Sequence, residues 1–233
     1  MKNSLYQGLP AAVNLNMVLG ILGTCLLGIF LAWFVTDMGL LPLPKDPVQS
    51  AVVGALWQFF ATVVVLYWWA ARRLHLRRAD LGITRENLGK SIALGCLLYT
   101  LALVAFVSCS NDPLIAQHGL RQANTRDSAL LLLSMSIIAA GTDLTTRGFI
   151  LLGLARYSPL IFAIVMQSAL WYIGHVNEIA LLSGCLSWGG AVGLTLTLGI
   201  LGDVIALKTR NVVGLVVAHV VLNIVMMLYI KSL

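Results

Sequence analysis

Long apolar runs, separated by short polar breaks, fill most of the chain. Four of them hold few polar residues and have about the 20 residues that a helix needs to cross a bilayer. They are residues 17–35, 51–71, 92–109 and 212–230. Three more contain polar residues, at 129–154, 160–175 and 180–207. Because backbone groups without hydrogen bonds are costly in hydrocarbon, such runs must be helical. The pattern predicts an all-α polytopic membrane helix bundle of seven transmembrane helices, in one membrane domain over residues 1–233.

The sixth span allows a second interpretation. A break at Trp188-Gly189-Gly190 would divide it into a short segment and a span, so eight transmembrane helices are the alternative. Together with Gly193 and Gly199, these glycines predict a small-residue face. Such a face usually packs closely against a neighbouring helix, and less often forms a bend or a substrate groove.

Basic residues favour seven spans with a cytoplasmic N-terminus. This topology places 11 of the 15 Lys and Arg residues inside, and eight spans weaken the bias. The most hydrophilic stretch between spans, residues 72–90, has six basic and two acidic residues and indicates a cytoplasmic loop at an anionic leaflet. The 111–127 loop has mixed charge. We expect an integral protein of a prokaryotic cytoplasmic membrane.

The composition excludes a soluble globular domain. Hydrophobic residues make up 59% of the chain and charged residues 10%, with a mean hydropathy of +0.92. The net charge is +6, but in a membrane protein basic residues mainly indicate which side of the membrane a loop occupies. We therefore expect the lipid bilayer as a partner and no nucleic acid. Cys25, Cys96, Cys109 and Cys185 lie within or beside apolar runs without CxxC spacing. This predicts buried thiols and no disulfide.

Polar side chains interrupt the last four spans in pairs one helical turn apart. The pairs are Asp143/Arg147, Trp171/His175 and His219/Asn223. Ionisable groups at membrane depth are costly unless they pair or line a wet cavity, so they indicate a functional site. Each pair taken alone also has a structural explanation, as a buried ion pair, an interfacial histidine or a helix–helix contact.

Together these side chains could activate a water molecule. Asp143 offers a carboxylate base, His175 and His219 offer imidazoles, and Asn223 offers an amide donor for an oxyanion. This is the inventory of a hydrolase. A metal held by Asp143 and the histidines is an alternative that no ligand spacing supports, so we expect no metal and no cofactor. Their depths along the predicted helices spread over about 14 Å, which permits convergence without requiring it.

The order and spacing of the motifs resemble the CAAX-protease and bacteriocin-processing family (CPBP, or Abi) of intramembrane glutamic-type endopeptidases. That family has EExxxRG on one helix, F/WxxxH on the next and HxxxN near the C-terminus. The matching stretches here are 142–148, 171–175 and 219–223, within a family-like core of about residues 128–230. The resemblance implies hydrolysis of a peptide bond by activated water in a membrane-embedded, prenylated or leader-peptide substrate.

The resemblance also implies roles for individual residues. His175 would help to position the water, and His219 and Asn223 would stabilise the oxyanion. Arg147 completes the first motif.

One departure affects the catalytic base. Thr142 stands where the family has its principal glutamate, and Asp143 stands for the second. Either Asp143 serves as the base, or the chain is a catalytically inactive member with a binding, immunity or chaperone-like role. A small transporter is a further alternative, since paired charges also line translocation paths. Asp203 fits no aspartyl-protease motif, and we expect it near the cytoplasmic end of its span, close to Lys208.

Overall fold

The computed structural model describes residues 13–109 and 123–232. These ranges form seven helices of 15 residues or more and contain no strand. The helices are α1 (Leu15–Asp37), α2 (Pro47–Arg73), α3 (Leu88–Ser108), α4 (Thr125–Ala155), α5 (Leu160–Gly174), α6 (Val176–Thr209) and α7 (Val213–Ser232). Lys2, Arg121 and most of the 111–127 loop, which entered the topology prediction, lie outside the described residues.

Six of these helices are long and apolar enough to cross a membrane, and α5 is apolar but shorter. The prediction of an all-α polytopic membrane bundle is confirmed. With 15 residues, α5 is about 22 Å long, less than the roughly 30 Å of a hydrocarbon core. The 34-residue α6 breaks at Ser187, where φ is 64° and ψ is 161°. This break is adjacent to the Trp188 position considered in the sequence, and it divides α6 into two limbs.

Polar residues set several helix ends. Asn14, Asp46 and Asn124 accept hydrogen bonds from backbone N–H groups in the first turns of α1, α2 and α4, which satisfies donors that have no partner inside the helix. Pro47 is the first residue of α2, where its missing N–H has no cost. Pro159 precedes α5. The long apolar runs between such residues therefore fold as separate helices.

The centre of the bundle is the second half of α4. Residues 149–152 and Leu154 have at most 1% of their surface exposed, and they pack against α1, α5 and α6. Residues 144–152 form π-helical turns, a widened geometry that is frequent at functional sites. The polar residues of the first motif therefore enter the most enclosed part of the molecule.

The hydrophilic 72–90 stretch folds against one end of the bundle. Its Leu81 is buried in the core. The side chain of Asn211, just before α7, donates hydrogen bonds to the carbonyl oxygens of Thr84 and Glu86 at 2.7 and 2.8 Å. The stretch thus ties the connection between α2 and α3 to the start of α7.

Asp80 fixes this stretch to α4. It accepts a hydrogen bond from the backbone N–H of Arg77 at 2.9 Å and forms an ion pair with Arg156. Burial raises the pKa of Asp80, but the hydrogen bonds from Arg77 and the charge of Arg156 outweigh that effect and hold the pKa below its usual 3.8. The carboxylate is therefore ionised around neutral pH.

The prediction that the cysteines form no disulfide is wrong. Cys109, directly after α3, is bonded to Cys185 in the first limb of α6, with the two Cα atoms 5.8 Å apart. Cys25 and Cys96 are free thiols. The partners are separated by 76 residues, and their bond joins α3 to α6. Their spacing carries no sign of the bond.

The glycines of α6 differ in their surroundings. A Cβ atom on Gly199 would lie 2.7 Å from Cδ1 of Trp171, and one on Gly202 would collide with the guanidinium of Arg147. A Cβ on Gly193 would meet no atom within 4 Å. Close packing through glycine is therefore a property of the second limb near its end.

Candidate active site

A buried ion pair on α4 forms the centre of the site. Asp143 and Arg147 are paired and have no exposed surface. The Arg147 guanidinium carbon lies 4.0 Å from the centre of the Trp171 ring, and its Nε lies 3.6 Å from the carboxylate of Asp203. A charge in the interior is tolerated only with such partners. Two carboxylates and an aromatic face supply them here.

Asp203 lies near the end of α6, but its side chain contacts Arg147 of α4. Its side chain is fully buried beside Arg147, and no described residue donates a hydrogen bond to either carboxylate oxygen. In the sequence, the residue is only six positions from the end of α6. The packing of α6 on α4 turns it inward, which no helical spacing could show.

Asp143 is also held by side chains from α3 and α7. The Tyr99 hydroxyl donates to Asp143 Oδ2 at 3.1 Å, and His219 Nδ1 lies 3.0 Å from the same oxygen. The Tyr99 and His219 rings stack with their centres 4.5 Å apart. A carboxylate only accepts hydrogen bonds, so Nδ1 carries the proton in this contact. Nε2 is then the ring nitrogen that is left for a ligand.

His175 lies at the junction of α5 and α6 and is oriented by Trp171. Its Nδ1 is 2.8 Å from the carbonyl oxygen of Trp171, and the two rings stack with centres 3.9 Å apart. Since the carbonyl can only accept, Nδ1 donates, and the neutral ring keeps a lone pair on Nε2. The Trp171 indole donates to the carbonyl of Thr195 at 3.1 Å. The orientation of His175 therefore depends on the contact between α5 and α6.

Asn223 lies one turn beyond His219 on α7. Its Nδ2 donates to the carbonyl oxygen of Met135 on α4 at 3.2 Å. An amide nitrogen carries two hydrogens, so one hydrogen is left for another acceptor. The contact with Met135 fixes the direction of the amide group.

A pocket of about 300 Å³ lies beside these residues. Its walls are mainly Leu, Met and Ala side chains of α3, α6 and α7. The polar side chains in the lining are Tyr99, His175, Glu178, Thr195, His219 and Asn223. An apolar cavity with a few convergent polar groups is typical of a ligand site. The structure thus brings His175, His219 and Asn223 to one cavity.

Asp143 and Thr142 do not line this pocket. Both carboxylate oxygens of Asp143 have partners, which are Arg147 on Oδ1 and Tyr99 and His219 on Oδ2. Thr142 is half-buried. Asp143, the base suggested by the sequence, is therefore separated from the pocket by His219, to which it is hydrogen-bonded.

Two ionisable lining residues, Tyr99 and Glu178, were missed in the sequence. Tyr99 stands alone in an apolar run, and a lone tyrosine in a span usually indicates a membrane interface. Glu178 follows His175 by three residues, so a search for further helical neighbours of the histidine would have found it. In the described part of the chain, no three His, Cys, Asp or Glu side chains are arranged to hold a metal ion.

The side chains of the pocket can support proton transfer and oxyanion stabilisation. His175 and His219 each have one ring nitrogen committed to the protein and the other uncommitted among the described residues. Proton transfer by imidazole and charge stabilisation by an amide donor such as Asn223 are the two requirements of amide hydrolysis by water.

Comparison with protein families gave a match, which includes the pocket residues His175, His219 and Asn223. Residues 125–225 match the family model described as type II CAAX prenyl endopeptidase Rce1-like. This range begins at the first residue of α4 and includes both histidines and Asn223. Comparisons with curated proteins and with solved structures gave no match. Over this matched part, the chain is similar to the CAAX-protease-like family of membrane proteins.

Proposed function

We propose that the protein is an intramembrane endopeptidase that hydrolyses a peptide bond of a membrane-associated substrate with a water molecule bound in the pocket. The observation that supports this most is the convergence of His175, His219 and Asn223 on one apolar cavity. The apolar walls suit a hydrophobic substrate segment. The matched family model suggests a prenylated substrate, and the motif resemblance to bacteriocin-processing enzymes adds a leader peptide as the second class.

Each polar residue has a role in this proposal. His175 accepts a hydrogen bond from the attacking water at Nε2 and orients it. The second amide hydrogen of Asn223 donates to the oxyanion that forms at the scissile carbonyl. His219 donates from Nε2 when that nitrogen carries a proton, and Asp143 stabilises the charged ring from the opposite side, as the carboxylate does in an Asp–His pair. Arg147 keeps Asp143 in place.

The test is cleavage of defined peptides in lipid vesicles. A farnesylated fluorogenic peptide and a hydrophobic leader peptide separate the two substrate classes. We expect His175→Asn and His219→Asn to lower the cleavage rate by about 10² to 10⁴. His75→Asn is the matched control, because His75 is exposed and outside the pocket, and it should cleave at the wild-type rate. Full activity of both pocket variants would exclude the proposed mechanism.

A second candidate is a binding protein that holds a hydrophobic peptide in the same pocket without cutting it. Thr142 at the position of the family glutamate and the closed Asp143–Arg147 pair favour this alternative. The double variant Thr142→Glu, Asp143→Glu restores the family pattern. If the restored variant cuts a peptide that the wild type binds and leaves intact, the native role is binding.

A further inference from the structure

Hydrolysis by water needs a group that accepts the proton of the attacking water. Asp143 is committed to Arg147, Tyr99 and His219 and does not line the pocket. Among the pocket-lining residues of the described chain, only Glu178 has a carboxylate. The pocket therefore contains an acidic group that the three family motifs do not include.

Glu178 is well placed to act with His175. It is the third residue of α6, three positions after His175 at the junction with α5, and residues three apart on a helix lie on one side of it. Both side chains line the same pocket. Glu178 is also exposed, so its carboxylate is not enclosed by the protein.

Glu178 also lies in the first turn of α6, where an acidic residue can stabilise the helix. Acidic residues in the first turn of a helix often stabilise it by accepting hydrogen bonds from free N–H groups or by interacting with the helix dipole. No side chain makes a capping hydrogen bond at the start of α6. The Glu178 carboxylate therefore makes no capping hydrogen bond, and its structural role is limited to the interaction with the helix dipole.

We propose that Glu178 is the general base that replaces the glutamate missing at Thr142, an inference that rests on the proposed endopeptidase function. Its carboxylate takes one proton from the water held by His175, and the water oxygen forms a bond to the scissile carbonyl carbon. The resulting oxyanion is stabilised by Asn223. The protonated Glu178 then gives its proton to the amide nitrogen as the C–N bond breaks. The products are a carboxylic acid and an amine, so the atoms of one water and one peptide bond are conserved.

The test compares Glu178→Gln with Glu86→Gln in the same vesicle assay. Glu86 is an exposed glutamate in the 72–90 stretch, so the pair makes the same chemical change inside and outside the pocket. We expect Glu178→Gln to lower kcat by about 10² to 10⁴ with KM within about twofold. Glu178→Asp, which keeps the carboxylate, should recover part of the rate. A structural role at the helix start would instead lower thermal stability and leave kcat largely unchanged.

The outcomes separate this inference from the proposed function. If Glu178→Gln cleaves like Glu86→Gln while His175→Asn and His219→Asn are inactive, Glu178 is not the base and the endopeptidase function stands. If the wild type cleaves neither peptide, both proposals fail. Loss of activity in Glu178→Gln and in the histidine variants, with a wild-type rate in Glu86→Gln, supports both.

Discussion

Arg147 explains how so many polar groups can lie in the interior. Its guanidinium contacts two carboxylates on different helices, Asp143 and Asp203, and the face of Trp171. A buried ion pair adds little net stability, but removing one partner typically costs 3–5 kcal/mol because the other charge stays buried. The main role of Arg147 is therefore to neutralise the two buried carboxylates.

The Tyr99 hydroxyl connects α3 to the buried Asp143–Arg147 pair through hydrogen bonds. We expect Tyr99→Phe to lower the free energy of unfolding by about 1.5–3 kcal/mol, because the buried carboxylate of Asp143 loses a hydrogen-bond donor. The ring that stacks on His219 is kept in this variant. Thermal denaturation in detergent measures the change. Tyr172→Phe, which alters a half-buried tyrosine outside the pocket, is the control, and equal melting temperatures would show that the hydroxyl is dispensable.

Among the helices, the contact of α5 with the second limb of α6 sets the orientation of His175. Gly199 gives the Trp171 ring its space, and Trp171 in turn holds His175 through its carbonyl oxygen. A substitution at this contact should therefore change the orientation of His175 in the pocket, although it alters no polar side chain.

Substitution of alanine at two glycines of α6 tests that contact. We expect Gly199→Ala to destabilise the protein by about 1–3 kcal/mol, since the new methyl group would collide with Trp171. Gly193→Ala should be neutral or stabilising by up to about 1 kcal/mol, because its Cβ meets open space and alanine favours a helix. Thermal denaturation of both variants gives the comparison. A shift of the same sign and size in both would contradict the packing explanation.

The turn around Asp80 contributes to the stability of the fold, and this contribution depends on pH. The folded pKa of Asp80 is lowered, so its stabilising effect is complete above the unfolded value near 3.8 and is lost as pH falls through the folded value. We expect Asp80→Asn to remove about 1 kcal/mol at pH 7. The difference from wild type should shrink below about pH 3.8. Melting temperatures across pH 3–7 measure it, with Asp37→Asn, which alters an exposed carboxylate, as the control.

For the whole molecule, the disulfide joins two walls of the pocket. Ala105 and Leu182 line the pocket within about one helical turn of Cys109 and Cys185. In the seven-span topology with a cytoplasmic N-terminus, which stays a prediction, both cysteines face the side opposite to the basic 72–90 stretch. Disulfides form in such oxidising compartments and not in the cytosol.

The disulfide gives a prediction about both stability and sidedness. Because the bond closes a loop of 76 residues, we expect Cys109→Ser to cost about 4 kcal/mol of stability. Cys96→Ser, which removes a free thiol, should cost much less. Mass spectrometry of protein that was alkylated without reduction should find Cys109 linked to Cys185. Alkylation of both residues would contradict the bond and the proposed sidedness.

Helix identity, the membrane environment and the family motifs were all accessible from the sequence. A bilayer leaves a 20-residue apolar run only one stable conformation, so the predicted spans differ from the observed helices by a few residues at their ends. Polar residues such as His219 and Asn223 stand out in such runs because burying them is costly. The pattern therefore located candidate site residues before any packing was known.

Contacts between helices were decided by the tertiary structure alone. The inward position of Asp203, the role of Tyr99, the Cys109–Cys185 bond and the withdrawal of Asp143 behind His219 all depend on how helices rotate and pack against one another. Helical periodicity specifies which residues share a face of one helix, but it does not specify which face of another helix they meet. The local chain thus determined what each helix is and which polar groups it carries, and packing determined which of those groups act together.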